Sequence, residues 1–124
     1  MKPGKTGMAR LVDATRNSWR GLRATFTNEA AFRQELLLVA VLGTASFWAA
    51  RNTTEWLLLV LPLGILLITE LLNSAVECVV DRIGEEFNEL SGRAKDMGSA
   101  AVLLALVMAA LVWAGVILQR FASG

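Results

Sequence analysis

The fold predicted by the sequence is an all-α membrane protein: three transmembrane helices behind an N-terminal amphipathic surface helix, forming a single domain over residues 1–124. Three observations predict it. The 124 residues are 55% hydrophobic with a mean hydropathy of +0.52, too apolar for an ordinary soluble domain. The stretch 97–118 carries no charged residue. Ahead of the apolar segments, a basic segment repeats its apolar residues every three or four positions. The net charge of +1 gives no sign of a nucleic-acid partner. One cysteine, Cys78, and no histidine exclude disulfide scaffolds and histidine-based sites. Any catalysis falls to carboxylates, lysine, arginine or hydroxyls.

Residues 1–7, with Pro3, Gly4 and Gly7, read as a terminus without fixed structure. Lys2 and Lys5 are not followed by an apolar core before Arg10, so no cleavable leader is expected. From Met8 to Phe26, Leu11, Thr15, Trp19, Leu22 and Phe26 share one helical face, and Arg10, Asp13, Arg16, Asn17, Arg20 and Arg23 fall mostly elsewhere. A basic amphipathic helix of this kind lies on a membrane surface or packs against a partner in an oligomer.

Thr27 or Asn28 can cap the next helix, with Glu29 in its first turn. The apolar run 36–50 is short of the roughly 20 residues a span needs. The first span is therefore placed at about 29–50, with Glu29, Arg33 and Glu35 at the membrane boundary. A polar connection, 51–55, leads to the second span, about 56–80. A charged loop, 81–96, precedes the third span, 97–118, where Gly98, Ser99, Ala100, Ala101 and Ala105 permit close helix packing. Three spans put the termini on opposite sides. Ten of the twelve Lys and Arg residues lie on the N-terminal and 81–96 side, which places that side in the cytoplasm and the C-terminus in the periplasm.

The segment 70–96 draws most attention. At about 100° per residue, Glu70, Asn73, Ser74, Glu77, Asp81 and Gly84 share one face of the second span. An ionisable group inside a span costs about 2.5 to 3.5 kcal/mol on insertion scales, so Glu70 and Glu77 are expected to face protein rather than lipid. Glu29, Glu35, Glu77 and Asp81 converge at the cytoplasmic boundary. Without histidine or cysteine, convergent carboxylates suit Mg²⁺, which is held by one or two carboxylates plus substrate phosphates. Arg82, Arg93 and Lys95 could bind those phosphates. A buried Glu70 suits proton abstraction. Gly4, Lys5 and Thr6 mimic the end of a phosphate-binding loop but lack its upstream glycine and strand. The residues alone leave open a structural role for Glu70, Asn73 and Glu77 as interhelix hydrogen-bonding groups, and a small proton-coupled transporter.

The strings NEAAFRQE at 28–35, ELLNSAVE at 70–77, VDRIG at 80–84 and ELSGRAKDMGSAAV at 89–102, with SWRGLRA at 18–24, resemble the small integral-membrane diacylglycerol kinases of bacteria. The resemblance extends over nearly the whole chain. It implies a homotrimer with active sites shared between subunits, acting at the cytoplasmic face of the bacterial inner membrane in phospholipid recycling. The implied reaction converts ATP and diacylglycerol to ADP and phosphatidic acid; a polyprenol such as undecaprenol is the alternative acceptor. Glu70 would be the proton acceptor, supported by Asn73. Glu29 and Glu77 would hold Mg²⁺ and, with Arg10, Asn17, Glu86, Phe87, Asn88, Lys95 and Asp96, the nucleotide. The family pattern has tyrosine where Asn17 stands and Tyr-His where Phe87 and Asn88 stand.

Lipid contacts implied by the same resemblance run through Arg10 and through Ala14, Thr15, Arg16, Asn17, Ser18 and Trp19. They continue with Arg23, Ala24, Thr25 and Phe26, then Ala31, Phe32, Arg33, Gln34 and Glu35. At the other end come Trp48, Ala49, Ala50, Arg51 and Trp56. Glu70, Ser99, Trp113, Ala114, Gly115, Val116, Ile117 and Leu118 complete the set.

Overall fold

The computed structural model describes residues 6–84 and 88–122, and every regular element in them is helical. Helix α1 spans Gly7–Asn28, α2 Ala30–Ala49, α3 Thr53–Ile83 and α4 Glu89–Ala122. The last three are long and apolar enough to cross a membrane. Helix α3 is central: it packs along α4 most extensively and against α2 next, while α1 touches α2 and α3. The core is correspondingly thin. Leu59, Leu63 and Leu66 of α3 are buried with Ala105, Ala109 and Val116 of α4 and Phe32 of α2. Of the small residues expected to permit close packing of α4, Ala105 is buried and Gly98 half-buried, whereas Ser99, Ala100 and Ala101 are exposed.

The joints are where the structure departs from the sequence reading. Neither Thr27 nor Asn28 caps α2. Helix α1 continues through Asn28, whose side-chain amide donates to the Ala24 carbonyl at 2.8 Å. The break falls on one residue, Glu29, extended at φ −117° and ψ 110°, which is the N-cap position of α2 rather than part of its first turn. Arg33 explains why α1 stops there. Its Nη1 donates to the carbonyls of Phe26 at 2.7 Å and Thr27 at 3.2 Å, so a cation from α2 satisfies the free carbonyls at the C-terminus of α1.

Between α2 and α3, Asn52 Oδ1 accepts from the Glu55 backbone N–H at 2.9 Å and caps α3. Helix α3 therefore starts at Thr53, ahead of the expected 56, and runs on to Ile83. At the same end, Arg120 of α4 donates from Nη1 to the carbonyls of Trp48 at 2.5 Å and Ala49 at 2.9 Å, closing the C-terminus of α2. Pro62 removes one N–H from the interior of α3. One turn away, Trp113 Nε1 donates to the Leu59 carbonyl at 2.9 Å and pins α4 to this part of α3.

The largest correction concerns 81–96, read from sequence as a charged loop. Helix α4 begins at Glu89, so Arg93, Lys95 and Asp96 are helical. Asn88 is its cap: Oδ1 accepts from the N–H of Leu90 at 2.9 Å and of Ser91 at 3.1 Å, and its carbonyl accepts from Gly92 at 2.9 Å.

Candidate active site

Four features of α3 and its neighbours build a carboxylate site. Glu70, Asn73 and Ser74 are buried, and Glu77, one turn further on, is half-buried. The expected polar face is therefore turned inward from Glu70 to Glu77, while Asp81 and Gly84 further along it are exposed. Glu70 meets the Glu35 side chain of α2 directly, and Glu77 and Glu29 stand within electrostatic reach of it. Glu35, read from sequence as one of the carboxylates converging at the membrane boundary and, by the resemblance, as a lipid contact, is thus the group facing Glu70. Its Oε2 is buried with no hydrogen-bond partner.

Asn73 links the inner and outer parts of the cluster. Its Nδ2 donates to Glu77 Oε1 at 3.5 Å, a long contact, while its Oδ1 is buried without a partner. Helix α4 adds the cation: Lys95 Nζ lies 2.8 Å from Asp81 Oδ1 and also feels Glu77. Among the described residues no three acidic or sulfur groups form a ready-made metal cage. Two carboxylates beside a lysine nevertheless fit an ion that completes its shell with phosphate oxygens and water.

An apolar groove of about 440 Å³ adjoins this cluster, lined by Trp19, Leu22, Arg23 and Phe26 of α1, Phe32 and Leu36 of α2, and Leu67 and Leu71 of α3. Leu71 follows Glu70 directly and Leu67 lies one turn before it, so the groove borders the stretch of α3 that carries the buried carboxylate, although Glu70 is not itself a lining residue. Leu22 was read from sequence as part of the apolar face of α1, whereas Leu36, Leu67 and Leu71 were not singled out. Their signal was present as helical spacing, since Leu36 follows Phe32 and Leu71 follows Leu67 by four positions.

The other residues singled out from sequence divide by location. Arg10, Arg16, Asn17, Ser18, Trp19, Arg23 and Ala24 are exposed on α1, and Ala14 and Thr25 are half-buried there. The hydroxyls of Thr15, Ser18 and Thr25 are turned back onto the carbonyls of Leu11, Ala14 and Gly21 at 2.8 to 2.9 Å. Ala31 and Gln34 are exposed on α2, whereas Arg33 is committed to the end of α1. Asp96 and Ser99 are exposed near the start of α4. Glu86 and Phe87 lie outside the described residues; Asn88 serves as the α4 cap. Cys78 is exposed.

A second group gathers at the opposite end and is not brought to Glu70. Trp56 stands fourteen positions before Glu70 on the same helix, about 21 Å along its axis at 1.5 Å per residue. There Phe47 and Trp56 stack with centroids 5.7 Å apart. Arg51 clasps Glu55 through Nη2 at 2.8 Å and Nε at 3.2 and 3.3 Å, which holds its guanidinium pKa above the ordinary value. Phe47, Ala50, Arg51, Asn52, Thr53 and Trp56 line an open pocket of about 490 Å³. Trp48 is exposed, Ala49 and Ala50 are half-buried, and Trp113 through Leu118 run from half-buried to exposed around buried Val116.

Buried acid, peripheral carboxylates, a lysine and an apolar groove together describe a site where an anionic reactant in water could meet an acceptor in lipid. Comparison with known proteins gives the same class. The family described as prokaryotic diacylglycerol kinase matches residues 16–117. Diacylglycerol kinase of Escherichia coli strain K12 is 46% identical over 121 residues, covering 98% of this chain and 99% of that protein. The Haemophilus influenzae diacylglycerol kinase is 46% identical over 112 residues, 90% and 95% of the two chains. That of Pseudomonas aeruginosa is 44% identical over 115 residues, 93% and 94% of the two. With a match of this identity along nearly its whole length, the chain belongs to the prokaryotic diacylglycerol kinase family.

Proposed function

We propose that this diacylglycerol kinase makes phosphatidic acid at the cytoplasmic face of the inner membrane, with Glu70 as the base and ATP as the phosphoryl donor. The observation that carries the reading is the burial of Glu70 next to an apolar groove, with Glu29 and Glu77 within its electrostatic reach and Lys95 near Glu77. The acyl chains of diacylglycerol would lie in the groove and bring the primary hydroxyl to Glu70. Glu70 takes the hydroxyl proton as the oxygen bonds to the γ-phosphorus, and the bond to the β-phosphate oxygen breaks to release ADP. Such transfer asks the protein chiefly for positioning and charge neutralisation. Glu29 and Glu77 would hold Mg²⁺, which supplies neutralisation of phosphate charge when bound. Lys95, free to exchange Asp81 for a phosphate, would orient the nucleotide, with Arg10 and Asp96 at its edge.

In this reading α1 lies along the membrane surface, its exposed Leu11, Trp19 and Phe26 in the lipid boundary. The chain works as a homotrimer whose sites are completed by neighbouring subunits. The exposed apolar faces of α2 and α4 support that assembly. The test is a transfer assay with purified protein in lipid-containing micelles. Mg²⁺-dependent movement of the ATP γ-phosphate to diacylglycerol is expected. Transfer to undecaprenol but not to diacylglycerol would replace the acceptor, and transfer to neither would remove the kinase reading.

A further inference from the structure

Position 98 on α4 stands directly against Asn73. A Cβ added there would fall on Asn73 Oδ1, far inside van der Waals contact. Among the glycines described, Gly98 alone meets such an obstacle; the others have nothing within 4 Å of an added Cβ. Gly98 is not in a left-handed conformation, so the requirement is space and not backbone freedom. The atom that fills the space belongs to the side chain whose other end, Nδ2, points at Glu77 Oε1. Asn73 is buried, and its neighbours on the same face, Glu70 and Ser74, are buried too, so the amide has little room to turn elsewhere.

We infer that Gly98 is a positioning residue for the acidic site: its missing side chain seats the Asn73 carbonyl, and that seat aims the Asn73 amide N–H at Glu77. The inference rests on the reading of Glu77 as a metal-holding carboxylate. Among the hydrogen bonds of the described residues Asn73 is the partner of Glu77, so the direction of the Glu77 oxygens depends on where that amide points. Partners that orient metal-holding groups typically change metal affinity about 10- to 100-fold when lost. A methyl group at 98 would displace the amide and release Glu77 without touching Glu77 itself.

The experiment is a double-mutant cycle of Gly98→Ala and Asn73→Ala in purified, micelle-reconstituted protein. Mn²⁺ binding in the presence of a non-hydrolysable ATP analogue is followed by electron paramagnetic resonance, beside thermal unfolding. Gly98→Ala alone is expected to weaken Mn²⁺ binding about tenfold or more. In the Asn73→Ala background the same change is expected to weaken it less than about twofold, because the Asn73 Cβ would stand 3.7 Å from the new methyl, an ordinary contact. Unchanged Mn²⁺ affinity in Gly98→Ala, or an equal loss in both backgrounds, would overturn the inference. If Gly98→Ala fails to fold, recovery of folded protein by the double variant upholds the seat, and failure of both overturns it. Wild-type protein that binds no Mn²⁺ and makes no phosphatidic acid would instead remove the kinase reading beneath.

Discussion

Lys95 and Asp81 stand 2.8 Å apart, nitrogen to oxygen, joining the last turns of α3 to the first turns of α4. Both side chains keep substantial exposure, 44% and 67%, so the pair adds little stability. Its effect is placement, since it keeps the ammonium beside Glu77. Lys95→Met is therefore expected to raise the KM for ATP at least about tenfold. Its melting temperature should stay within a few degrees of wild type, as suits an exposed ion pair. Steady-state kinetics beside a melting curve separates the two effects.

Replacing Glu70 by glutamine keeps the shape and removes the base. Turnover should fall at least about a hundredfold while ATP binding changes less than about threefold, since positioned proton acceptors contribute about 10²- to 10⁴-fold. Calorimetric nucleotide titration paired with the transfer assay checks it. An active Glu70→Gln protein would return Glu70 to a packing role.

Glu35→Gln should separate stability from function. In the wild type two carboxyl side chains face each other, and one Glu35 oxygen is buried without a partner. An unsatisfied buried polar atom costs about 1–3 kcal/mol, and glutamine supplies a donor toward Glu70. The melting temperature should rise. Turnover should drop about tenfold, because a hydrogen bond donated to the Glu70 carboxylate stabilises it against taking a proton, and about 1.4 kcal/mol suffices for that factor.

At the far end, Arg120 closes the α2 terminus through two carbonyls. Arg120→Ala should destabilise the chain by about 1.5–3 kcal/mol, the range for hydrogen bonds to a charged group. Kinase activity of the folded fraction should remain within about twofold of wild type. Denaturation in mixed micelles measures the first and specific activity the second.

Much of this arrangement was legible in the sequence. Three apolar segments and the period of Glu70, Asn73, Ser74 and Glu77 were enough to place the spans and the inward polar face. The segment 81–96 was not read as helix because charge was weighed above capping. Asn88 followed by Glu89 is an N-terminal signature, and acidic and basic residues are as much at home on a helix end outside the lipid as in a loop. The break at Glu29 was displaced because its cause, Arg33, acts through tertiary geometry across the joint. The Glu35 and Glu70 encounter, and the seat of Asn73 on Gly98, depend on how α2 and α4 are rotated against α3. Periodicity within one helix says nothing about the rotation of another.

The single-residue break at Glu29 also bears on how such a chain can change over evolutionary time. Insertions and deletions usually accumulate where elements meet, but this joint has no slack. One residue more or less in the first turn of α2 would turn Arg33 by about 100° about the helix axis, carrying it off the Phe26 and Thr27 carbonyls and opening the groove from Trp19 to Leu71. Length is therefore constrained by geometry at a position where composition alone would suggest tolerance. A descendant that alters this joint can keep its register only by changing it by a whole number of helical turns.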